Sequence, residues 1–138
     1  MFKRILLTTD GSPVIERAVL YAEHPARVEN AEIIVLHAYE PPARYAEHAG
    51  YDQLLERYAD IAQEVADEVV RELQEDAGPA RSEARAGPAA EVIISAAREH
   101  DIDLIIMGMR GSGNLQAILG SVSAQVLRSA HCPVLQIP

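Results

Sequence analysis

The chain has 138 residues, of which 12 are Lys or Arg and 21 are Asp or Glu, a formal net charge of −9. An apolar share of 49% with 24% charged residues describes a globular chain, and the length predicts one domain spanning residues 1–138. The acid excess argues against broad binding to nucleic acid or anionic membrane, and because Lys3 is the only lysine, a Walker A, Schiff-base or general-base lysine within the chain is excluded.

Segments of two periods alternate along the chain. Lys3 to Thr9 is a short apolar run ending in the turn signal Asp10-Gly11-Ser12-Pro13. Ser12 can cap a helix and Pro13 suits its first position, where the missing N–H costs nothing. Val14, Ala18, Val19, Tyr21 and Ala22 then mark a helical stripe to about Arg27. Ala31 to Tyr39 holds Ile33-Ile34-Val35-Leu36, a continuous apolar run of the kind buried on both faces of a parallel sheet. Pro41-Pro42 breaks the chain. Leu54, Tyr58, Ile61, Val65, Val69 and Leu73 then predict the apolar face of a long helix, ended by Gly78-Pro79.

Ala80 to Ala86 is an Arg-rich strand candidate near a sheet edge, and Gly87-Pro88 opens a helix to His100. Asp103 to Met107 is a buried strand, Gly108 to Gly120 a glycine-rich loop, Ser121 to Ala130 a helix, and Pro133 to Ile137 a last strand at a sheet edge. Strict alternation of strands and helices predicts an α/β fold: an open five-stranded parallel sheet, Rossmann-like, with helices on both faces. Ligands of such folds sit beyond the carboxyl ends of the strands, where strand order reverses. The first and fourth strands are the expected neighbours of that crevice.

A single cysteine, Cys132, excludes an internal disulfide, and no apolar run approaches the roughly 18 residues of a membrane span. The N-terminus lacks the pattern of a signal peptide. A soluble, cytoplasmic protein is expected.

The loop Gly108 to Ser123 contains the parts of a phosphate cradle. Gly108 sits where a strand stops, Gly111 lets the backbone turn or approach a ligand closely, Gly120-Ser121 opens a helix whose free N–H groups favour an anion, Ser121 and Ser123 add hydroxyls, and Arg110 adds a forked cation. An ordinary βα loop with a capped helix has the same local sequence. Gly108 and Gly113 have P-loop spacing, but Asn114 replaces the required lysine. Neither a Gly-x-Gly-x-x-Gly motif nor a Gly-x-Ser-x-Gly elbow follows any strand.

Taken in order, Ile5-Leu6-Leu7-Thr8-Thr9-Asp10-Gly11-Ser12, Val35-Leu36-His37-Ala38, Gly87-Pro88, Met107-Gly108-Met109-Arg110-Gly111, Leu119-Gly120-Ser121-Val122-Ser123 and Cys132-Pro133-Val134-Leu135 resemble the universal stress proteins, adenine-nucleotide-binding α/β domains with five parallel strands. The resemblance covers essentially the whole chain. The family's ATP-binding members carry Gly-x-x-Gly, nine residues, then Gly-Ser or Gly-Thr; here only eight residues, Ser112 to Leu119, separate Gly111 from Gly120-Ser121.

The resemblance implies that Thr9 and Asp10 lie at the adenosine end, that Ala38 lines the adenine slot, and that Met107 packs against the base. It implies that Gly108, Arg110, Gly111, Gly120, Ser121 and Val122 surround the phosphates of ATP or a related nucleotide, with Mg²⁺ accompanying the phosphates. It also implies a homodimer through the last strand, an exposed apolar edge that invites self-pairing. Without the resemblance, Asp10 reads as a turn former, Met107 as core and Ala38 as strand packing.

His37 in an apolar strand reads as a satisfied core histidine. Cys132 reads as a small buried hydrophobe, and His131-Cys132 has no partners at metal-ligand spacing. Tyr39, Tyr45, Tyr51 and Tyr58 gather around the long polar loop, to pack it onto the sheet, cap the crevice or form an interface. The leading functional expectation is a stress-response protein holding an adenine nucleotide as a regulatory binding module. The alternatives are a slow ATPase or self-phosphorylating enzyme using Ser112, Ser121 or Ser123, and a dimeric interaction protein that binds no nucleotide. The charge distribution fits a small anionic ligand. Residues 13–102 carry eight basic and nineteen acidic residues, whereas residues 1–12 and 103–138 are each at +1.

Overall fold

A computed structural model describes residues 1–73, 77–108 and 119–138. Strands β1 (Arg4–Thr9), β2 (Glu32–Tyr39), β3 (Ala80–Ala86), β4 (Leu104–Gly108) and β5 (Val134–Ile137) alternate with helices α1 (Ile15–Glu29), α2 (Tyr51–Glu72), α3 (Ala89–Glu99) and α4 (Ser121–Ser129). All strand pairs are parallel, in the order β3-β2-β1-β4-β5. The α/β sheet expected from the alternation is the one observed.

The continuous apolar runs are explained by burial on both faces. Ile5, Leu7, Ile33, Val35 and Ile106 pack against α1 and α2, while Leu6, Ile34, Leu36 and Ile105 pack against α3 and α4. One residue separates these sets along each strand, so a register slip by one would exchange the two cores. Helices α1 and α3 both end in a left-handed residue, Asn30 and Asp101. The next N–H bonds back to the helix, from Ala31 to Ala26 O at 2.9 Å and from Ile102 to Ala97 O at 2.8 Å. Each helix thereby hands a buried residue straight to the following strand.

Strand β3 is at one sheet edge. Its Arg81, Glu83 and Arg85 stand in register with Ile34, Leu36 and Ala38, so the same face changes from apolar to charged as it reaches the edge. These charges pair with their neighbours: Arg81 Nε with Glu32 at 2.9 Å, Glu83 with Arg85 at 2.6 Å and with His100 at 2.9 Å, and Arg85 with Glu99 at 2.7 Å.

Three local expectations are corrected. Ser12 does not cap α1: the helix begins at Ile15 with Val14 as N-cap, and Ser12 contributes only its carbonyl, 3.3 Å from the Ile15 N–H. Thr9 and Asp10 take the N–H groups of Gly11 and Ser12 into a side-chain-bonded turn that delays the helix. Ile61 is 64% exposed, and the buried stripe of α2 is Ala62, Ala66 and Val69, because small side chains let the helix approach β2 and β3 closely. Finally, α2 stops at Glu72, ahead of Gly78-Pro79.

Candidate functional site: a cavity over the carboxyl ends of β1 and β4

Strand β1 lies between β2 and β4. The connection through α1 leaves it on one face of the sheet, and α3 returns to β4 on the other. The chain segments after β1 and β4 are thus drawn to opposite sides, which opens a crevice between them. A cavity of about 300 Å³ occupies it, at the small end of the range for ligand sites.

Of the residues singled out from the sequence, Thr9, Asp10, Ala38, Met107, Gly108, Gly120, Ser121 and Val122 all line this cavity. Arg110 and Gly111 lie outside the described residues, as does Ser112. Sequence reasoning missed the walls supplied by helices, chiefly Ile15 and Ala18 of α1 with its N-cap Val14, and Ala89 and Ile93 of α3. The available signal was positional: they occupy the first turns of the helices that flank the crevice.

The floor and walls are mostly apolar, and polarity is concentrated in two places. One is the turn after β1. There Thr9 Oγ1 accepts the Gly11 N–H at 3.1 Å, Asp10 Oδ1 accepts the Ser12 N–H at 2.8 Å, and Gly11 has φ +84°. Asp10 is therefore a turn former as well as a cavity residue, with one carboxylate oxygen engaged and its side chain exposed. The other place is the start of α4. Gly120 is its N-cap, in extended conformation and with no side chain to cap the helix, an arrangement in which first-turn N–H groups can meet a ligand or water. Ser121 is exposed, whereas Ser123 is buried and its hydroxyl donates to Gly108 O at 2.7 Å. That bond withdraws Ser123 from the hydroxyl pair expected to face a phosphate.

His37 is half-buried, and its Nδ1 lies 2.8 Å from Thr9 O, a satisfied histidine as expected. Cys132 packs half-buried against the α3–α4 core, and burial pushes its thiol above the ordinary value. None of Tyr39, Tyr45, Tyr51 and Tyr58 lines the cavity. Tyr45 instead meets His48 edge to face at 5.6 Å and carries the Arg44 guanidinium over its ring. Among the described residues no three His, Cys, Asp or Glu side chains converge as for a metal, and no helix is long and apolar enough to cross a membrane.

A five-stranded parallel sheet with helices on both faces and a cavity at its switch point defines the class, a Rossmann-like α/β fold. A model of the universal stress protein family matches residues 1–138, and the chain belongs to that family. It is 38% identical to a universal stress protein of Thermus aquaticus, over 99% of each chain. The universal stress protein UspA of Lactobacillus plantarum superposes with a TM-score of 0.83 at 26% identity, covering 99% of this chain and 98% of the other. A universal stress protein in complex with cAMP superposes with a TM-score of 0.65 at 26% identity, covering 99% and 96%.

Proposed function

We propose that this chain binds an adenine nucleotide, ATP foremost, in the cavity over β1 and β4, and serves as a regulatory binding module in the stress response of the cytoplasm. The observation that carries the reading is that two segments about 110 residues apart, Thr9-Asp10 at the end of β1 and Gly120-Ser121-Val122 at the N-terminus of α4, wall one cavity. Apolar walls suit a base, the Asp10 carboxylate suits a ribose, and the start of α4 suits phosphate. The cAMP complex of a relative at 26% identity supports the same ligand class. Arg110 and Gly111 would complete the phosphate end. Mg²⁺ would come with the phosphates, since Asp10 is the only carboxylate among the described lining residues.

Binding is favoured over hydrolysis by the same inventory. Among the described lining residues there is neither His nor Lys, and Asp10, with one oxygen held by the Ser12 N–H, is at the end proposed for the ribose. The reading is tested by calorimetry with ATP and Mg²⁺ on the wild type and on Ser121→Asp. An aspartate in the first turn suits the helix but repels an anion. Saturable binding by the wild type and its loss in the variant are expected. No binding by the wild type at millimolar ATP would overturn the reading in favour of an interaction protein.

A homodimer through β5 is the second part of the proposal. Leu135 is exposed on that edge strand, and an apolar groove of about 660 Å³ runs beside it, lined by Phe2, Leu20, Tyr21, Val134 and Leu135 among others. Light scattering is expected to give a dimer for the wild type and a monomer for Leu135→Glu; a monomeric wild type would refute it.

A further inference from the structure

The geometry points to His37 as a positioning residue that holds the turn carrying Asp10, through the bond from its Nδ1–H to the Thr9 carbonyl. The inference rests on the proposed ligand site but concerns a residue outside the cavity wall.

The registers of the sheet show why a side chain is needed there. Strand β1 pairs with β4 only as far as Leu7↔Ile106, and with β2 as far as Thr9↔His37. Strand β2 continues beyond that rung, paired with β3 to Tyr39↔Ala86. At Thr9 the chain of β1 therefore leaves the sheet while its neighbour runs on. The imidazole of His37, on the last shared rung, reaches the carbonyl at the point of departure at 2.8 Å.

The side-chain bonds within the turn that follows are local. The Gly11 N–H bonds to Thr9 Oγ1 and the Ser12 N–H to Asp10 Oδ1, both two residues away. Of these three side-chain bonds, only the one from His37 ties the turn to another strand. Among the described residues, an added Cβ on Gly11 would meet nothing within 4 Å, so none of them packs against the tip of the turn. The carbonyl can only accept, so the bond requires a proton on Nδ1. A neutral ring would then be the Nδ1–H tautomer.

Orientation of Asp10 is thus inherited from His37, although His37 lines no part of the cavity. Asparagine places an amide N–H close to where the Nδ1–H sits and should replace it; leucine fills similar space without a donor.

The test begins with the wild type. Ring ¹⁵N shifts of His37 at alkaline pH are expected to show Nδ1 protonated; an Nε2–H tautomer would overturn the inference. Amide hydrogen exchange without ligand is then compared in wild type, His37→Leu and His37→Asn. Exchange at Gly11 and Ser12 is expected to quicken about tenfold or more in His37→Leu, the scale of one lost hydrogen bond, and to return toward wild type in His37→Asn. Affinity for ATP should follow the same order. His37→Ala takes the place of His37→Leu if leucine prevents folding. Unchanged exchange at the turn, or no rescue by asparagine, would overturn the positioning role. A wild type that binds no nucleotide would instead defeat the proposed function, leaving the exchange result to decide this one.

Discussion

Ser123, in the first turn of α4, donates its hydroxyl to the carbonyl of Gly108, the last residue of β4, at 2.7 Å. The bond pins the start of the helix to the end of the strand.

Replacing Ser123 by Ala leaves the half-buried Gly108 carbonyl without this donor. A loss of about 0.5–1.5 kcal/mol in urea unfolding is expected, the usual net contribution of one hydrogen bond. Nucleotide affinity should fall as well. A stability change within about 0.5 kcal/mol would show that the pin is unimportant.

Ala38 ends the apolar part of β2 at the cavity wall and keeps that wall low. Ala38→Phe is expected to fill the space meant for a base and weaken ATP binding at least tenfold, about 1.4 kcal/mol. A melting temperature close to wild type would show that the effect is steric. Undiminished affinity would place the ligand elsewhere.

Gly87 has φ +139°, and a Cβ there would meet Val92 Cγ2 at 2.9 Å. Backbone strain and overlap act together, since Val92 is buried in the α3 core and cannot simply swing away. Gly87→Ala should destabilise by about 1–3 kcal/mol, measured by denaturant titration. A neutral substitution would mean that the Gly87-Pro88 entry to α3 is freely adjustable.

At the β3 edge, burial pushes the Glu83 carboxyl up, but hydrogen bonds from Arg85 and His100 outweigh it and hold the group below its ordinary value of 4.5. A carboxylate lowered by folding stabilises the fold above its unfolded pKa and loses that contribution as pH falls through the folded value. Glu83→Gln should therefore be less stable than wild type near pH 7, and the gap should close as pH falls below the ordinary carboxylate range and through the lowered folded value, where the wild-type carboxyl becomes protonated. Parallel stability curves across that interval would show that Glu83 does not supply the pH dependence.

Much of this architecture is legible one segment at a time. Ile33 to Leu36 announces a strand buried on both faces because a two-sided core admits no polar residue at either parity. Gly87-Pro88 and Gly120-Ser121 announce helix starts for reasons confined to their own backbone. The errors arise where side chains compete over a few residues. Ser12 looks like a cap until Asp10 takes its N–H, and Ile61 looks like core until the alanines of α2 turn out to face the sheet.

The sequence by itself determined the parts of this protein set by local backbone chemistry and hydrophobic period: five strands, four helices, their parallel arrangement, and glycine and serine at the start of α4. The tertiary structure alone decided how those parts meet. Only the sheet order brings Asp10 and Val122 to one cavity, adds Ile15 and Ile93 from helices on opposite faces, and sets His37 beside the Thr9 carbonyl. The physical reason is distance along the chain. Hydrogen-bonding period and turn chemistry act over a few residues, whereas a cavity wall and a cross-strand bond depend on which distant segments the packed sheet makes neighbours.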